Sequence, residues 1–168
     1  MSRSKPKLWG KISSDCGCLS KLQVYYKWVP SAETVRPSEA GKLAKQARLD
    51  QITDEYTSMR DYIDHTVFGC SVNNVNDTEK ISVEEVTTPD LVVFKPNEFP
   101  YQIEQGNHYV LWYAVGEKPK GDEAITEDIV RELGKLVDGN SFDFAWYENP
   151  KPSIIERYHV QVFWTMLD

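Results

Sequence analysis

The chain has 168 residues, 40% of them hydrophobic and 12% aromatic, with a formal net charge of −7. Nowhere does it approach the roughly 20 consecutive apolar residues of a membrane-spanning helix, and its acidic balance argues against a nucleic-acid partner, whose phosphates it would repel. The charge is split: residues 1–48 hold ten Lys/Arg against three Asp/Glu (net +7), and residues 49–168 hold nine against twenty-three (net −14), so the two ends are expected to meet different partners.

Residues 1–37 read as an extended basic arm. Its large apolar side chains are mainly aromatic, Trp9, Tyr25, Tyr26 and Trp28, and residues 22–26 could form one short edge strand. Such a segment cannot bury enough surface to fold alone. Trp9, Tyr25 and Trp28 are therefore the candidate anchors for a protein partner. The opening MSRSKPKLWGK is followed by no apolar run, which speaks against a secretory leader and for the cytoplasm or nucleus, or a virus particle. Three cysteines, Cys16, Cys18 and Cys70, are an odd count without metal-ligand spacing, so neither disulfide framework, metal nor cofactor is expected.

A single α+β domain is predicted over residues 38–168. Ser38 can cap a helix over 38–68, broken near Asp50, whose buried stripe is Ile52, Tyr56, Met59 and Ile63, with Asp61 off the stripe and Gly69 as the stop. Residues 71–80 are a polar loop. Strands follow at 81–86, 91–94 and 108–115, the last carrying the strongest signal. A second helix is expected over 127–137, with Thr126 as N-cap and Ile129, Leu133, Leu136 and Val137 inward. Strands at 142–147 and 158–164 complete a mostly antiparallel or mixed sheet, with the helices packed on one face.

No phosphate-binding loop, dinucleotide fingerprint, nucleophile elbow or H-E-x-x-H motif is present. What chemistry the chain offers gathers around two histidines. His108 and His159 each open an apolar strand, and neighbouring strands would bring them to one sheet face within about 10 Å, where they could share general-acid and general-base work. Arg157 could hold a phosphate or carboxylate, or else pair with Glu148 or Glu156. Tyr101 and Asn149 are further candidate ligand contacts, and Trp112, Trp146 and Trp164 are expected in the core or on the sheet.

The ordered set Asn97-Glu98-Phe99-Pro100-Tyr101, His108 to Trp112, Trp146-Tyr147-Glu148-Asn149-Pro150 and His159-Val160-Gln161-Val162-Phe163 resembles the fungal and viral N-acetylglucosamine-induced protein family, over roughly residues 49–165. The resemblance implies a shared fold and no defined reaction. Where that family tends to carry a second histidine in its last strand this chain has Gln161, a poor transition-metal ligand. Two functions are expected from these readings. One is a non-enzymatic interaction protein, a minor component of a larger assembly such as a virus particle, which contacts its partner through the arm. The other is a small enzyme or binding protein for a phosphorylated or sugar-like metabolite at a His108/His159 site.

Overall fold

The computed structural model describes residues 39–73, 80–100, 106–148 and 154–166. The arm, with Trp9, Tyr25 and Trp28, lies outside the described residues, as do Cys16, Cys18, Ser38, Tyr101 and Asn149. Four strands, β1 (Val92–Pro96), β2 (Asn107–Tyr113), β3 (Phe142–Tyr147) and β4 (His159–Met166), form one antiparallel sheet in the order β1-β2-β4-β3. The two longest strands thus pair with each other at its centre, where both faces must be covered. Strand alternation sends Leu111, Tyr113, Val160 and Val162 to one face and Val110 and Trp112 to the other.

Each face has its own helical cover. The helices among the described residues are α1 (Glu39–Glu55), α2 (Met59–Thr66) and α3 (Asp122–Leu136). Helix α3 lays Ile125, Ile129 and Leu133, all fully buried, against Phe144, Trp146, Val160 and Val162. Burial of this kind contributes about 1.5–3 kcal/mol per large aliphatic side chain. Helices α1 and α2 bring Ile52, Tyr62 and Ile63 to the opposite face, against Val110 and Trp112. The expected placement of all helices on one face is thereby corrected: with Val110, Trp112 and Phe163 on one face and Leu111, Tyr113, Val160 and Val162 on the other, a single layer would leave one apolar set in water.

Local chemistry sets the helix ends. The break in the first helical segment falls at Ser58 rather than near Asp50, because the Ser58 side chain accepts the backbone N–H of Asp61 and restarts the helix. Asp61, expected off the buried stripe, is 2% exposed and accepts bonds from Ser58, Thr57, Arg60 and the Val83 N–H. Helix α3 starts at Asp122, ahead of the expected Thr126 cap, since Asp122 and Glu123 suit the positive helix end. Thr126 is inside the helix, donating to the Asp122 carbonyl and accepting the Trp146 indole N–H. Leu136, expected inward, is half exposed, and α3 is closed by Asp138 and Gly139, both at positive φ. Residues 81–86 make only isolated bridges, Ile81 to Tyr56 and Val83 to Val72, and no ladder. Among the described residues no helix is long and apolar enough to cross a membrane.

Candidate functional site

Between the Val110–Trp112 face of the sheet and helices α1 and α2 lies a cavity of about 170 Å³. Its apolar wall is made by Leu49, Ile52, Ile63, Val67, Val110, Trp112 and Ile154, and Lys45, Arg48, Lys95, Glu98, His159 and Gln161 supply charge and hydrogen bonds. The register explains why these groups meet. Gln161 stands opposite Val110, His159 opposite Trp112, and Lys95 opposite Val110 on its other side, so alternate residues of three strands share this face. Helix α1 adds Lys45, Arg48, Leu49 and Ile52 at the spacing of one helical face.

The polar floor is a fixed relay. The Phe99 N–H donates to Asn97 Oδ1 at 2.7 Å, which leaves the Asn97 amide nitrogen to donate to Gln161 Oε1 at 3.1 Å. His108 Nε2 lies 2.6 Å from the same oxygen. With Oε1 taken up by these two donors, the Gln161 Nε2 amide group is without a partner among the described residues and is not sealed from the cavity. His108 itself is buried and stacked on Phe163, and burial depresses its pKa to about 4, so it is neutral at pH 7.

His159 is oriented differently. Its Nδ1 lies 3.1 Å from the Arg157 carbonyl oxygen, which can only accept, so Nδ1 carries the proton and Nε2 keeps its lone pair. Burial lowers its pKa as well, and its ring rests against Trp112 at 4.4 Å between centroids. The two histidines do share a sheet face, but His108 pairs with Phe163 and His159 with Trp112, four residues along, or about 14 Å at roughly 3.4 Å per residue. The Val110–Gln161 pair stands between them, so the structure does not bring them together as an acid–base couple.

Charge at the cavity is positive. Arg48 is engaged by Glu98 at 3.7 Å and by the Tyr62 ring. Lys45 is half-buried, has no hydrogen-bond or ion-pair partner among the described residues, and its pKa is lowered by desolvation. Its charge also acts on both histidines, opposing their protonation. Lys95 likewise has no partner among the described residues.

Arg157, expected as a ligand contact, is spent elsewhere. Its guanidinium holds the fully buried Asp64 with two bonds of 2.9 Å each, which raises its own pKa. The expected pairing with Glu148 or Glu156 is replaced by this link to α2. Lys45 was not foreseen as a site residue, since its stretch of α1 shows almost no amphipathic pattern. Among the described residues no group of three or more His, Cys, Asp or Glu is arranged to hold a metal.

No protein-family profile and no curated protein sequence matches this chain. Among solved structures it is similar to the crystal structure of HTC1, with 18% sequence identity, a TM-score of 0.45, and coverage of 80% of this chain and 77% of that one. A likeness of that degree carries no functional argument.

Proposed function

We propose that this protein binds a small organic anion with a flat or apolar body in the cavity between the sheet and α1/α2. The observation that carries the reading is Lys45. A half-buried ammonium without a carboxylate partner among the described residues lines a largely apolar cavity, beside Lys95 and the outward amide of Gln161. A desolvated cation recovers its lost hydration best from an anionic group. The apolar wall suits an aromatic or branched body better than the many hydroxyls of a bare sugar. A cavity of about 150 Å³ holds benzene, so this one fits a body of roughly that size.

A titration calorimetry and thermal-shift panel of benzoate, other small carboxylates, inorganic phosphate and sugar phosphates tests the reading. Benzoate-sized acids should raise the midpoint in wild type and lose their effect in Lys45→Met. No shift at millimolar concentration for any member, or a shift indifferent to Lys45→Met, would remove the reading.

Membership of the N-acetylglucosamine-induced protein family is proposed on the same ground. Asn97, Phe99, Trp112, His159 and Gln161, which carry the resemblance, all line this cavity, with His108 bonded directly behind it. The assembly-component reading, with Trp9, Tyr25 and Trp28 as anchors, is favoured by the +7 and −14 charge split alone. Limited proteolysis tests it: early cleavage before about residue 38 that leaves a stable body supports it, and an arm as protected as the core opposes it.

A further inference from the structure

Resting on the reading of the cavity as an anion site, we infer that its ligand is a hydroxyl-bearing aromatic acid, whose hydroxyl donates to His159 Nε2 while its acid group meets Lys45 and Gln161. Three polar groups at the cavity have settled hydrogen-bonding roles, Gln161 and His159 through partners behind them and Lys45 through its own chemistry, and those roles differ. Gln161 can only donate, because His108 and Asn97 both occupy Oε1. Lys45 can only donate, and carries charge. His159 can only accept through Nε2 while neutral, because Nδ1–H is given to the Arg157 carbonyl. Arg157 cannot swing away to release that carbonyl cheaply, as its side chain is locked on Asp64.

A simple carboxylate would satisfy the two donors and leave the His159 lone pair facing a ligand with nothing to offer. A site built to hydrogen-bond a hydroxyl discriminates against the analogue lacking it, because the group on the protein is left unpaired. The charged side chains that share the cavity with His159 are Lys45, Arg48, Lys95 and Glu98; burial first, and the Lys45 charge after it, oppose protonation of the ring and so preserve the acceptor. Trp112, against which His159 rests, gives the aromatic ring of the ligand a wall to lie on.

The test compares benzoate, 3- and 4-hydroxybenzoate and the matching methoxybenzoates by titration calorimetry. At least one hydroxybenzoate should bind about 3- to 10-fold tighter than benzoate, the range of one hydrogen bond, and its methoxy analogue should lose that gain. His159→Phe should erase the preference, so that benzoate and the hydroxybenzoates bind that variant with equal affinity. Equal affinity of benzoate and both hydroxybenzoates, or a preference that survives His159→Phe, overturns the inference while the anion site stands. If no acid binds, or if binding ignores Lys45→Met, both fall. Should His159→Phe fail to fold, ¹⁵N NMR of the wild-type imidazoles decides independently. The inference requires His159 protonated on Nδ1 alone at pH 7, and an Nε2–H tautomer overturns it.

Discussion

Replacing Arg157 with leucine removes the counter-charge of a carboxylate that has no access to solvent. Asp64 would lose two hydrogen bonds of 2.9 Å and keep only weaker support, the Val86 N–H at 3.4 Å and Arg60 Nε at 3.9 Å. Breaking a buried pair by deleting one partner costs about 3–5 kcal/mol. The residual contact with Arg60 places this case at the lower end, about 3 kcal/mol, a large share of the usual 5–15 kcal/mol of a domain. For a chain of this size that corresponds to a fall in Tm of roughly 6–12 °C. Urea unfolding of wild type, Arg157→Leu, Asp64→Asn and the double variant measures both the loss and the coupling between the two sites. The double variant should be less destabilised than the sum of the singles, by at least about 1.5 kcal/mol. A loss in Arg157→Leu below about 1 kcal/mol, or additive singles, would show that Asp64 is not the buried dependent charge described above.

Burial holds the His108 imidazole at about 4 in the folded chain, against an unfolded value near 6.5, so the unfolded state takes up the proton first. Stability due to this group is complete above about pH 6.5 and drains away as pH falls towards 4, by roughly 3 kcal/mol at about 1.4 kcal/mol per unit. A pH series of urea midpoints should show a shallower decline in His108→Gln, and identical slopes would exclude His108 as the cause. Ile129→Ala, in the fully buried stripe of α3, should cost about 2–5 kcal/mol in the same assay. Tyr113→Phe removes one of three bonds to Asp128, which keeps Lys120 at 2.8 Å and Arg131 at 2.9 Å, so the loss should stay near 1 kcal/mol.

Period and composition located every ladder strand of the sheet to within about two residues, because apolar alternation is a local property that survives into the fold. Helix ends were read less well where a competing local bond existed, as Ser58 and Thr126 show. Facing was the larger miss. Nothing in the spacing of Ile52 and Ile63 says on which side of a sheet they will lie. The candidate site was legible in part: His108 and His159 could be singled out as histidines opening apolar strands, whereas Trp112 was expected only in the core or on the sheet and Gln161 only as a departure from a histidine pattern. Lys45 could not, since one buried residue, Ile52, is all that ties the pattern of α1 to the core. The partner of Arg157 lies 93 residues away, beyond any sequence-local cue.

The strand order also dictates a sequence of assembly. β1 with β2, and β3 with β4, are hairpin-like pairs whose residues stand at most 24 positions apart, as Phe142 and Met166 do. The seam between β2 and β4 joins Asn107 to Trp164 across 57 residues. Closing that longer loop costs more chain entropy and belongs to the slow part of folding. Lys95, Trp112, His159 and Gln161 come from both sides of the seam, so neither hairpin alone contains the cavity. The proposed ligand therefore has nothing to grip until the two halves have docked. Bound ligand should slow unfolding and leave the refolding rate almost unchanged, the kinetic mark of contacts made after the barrier is crossed.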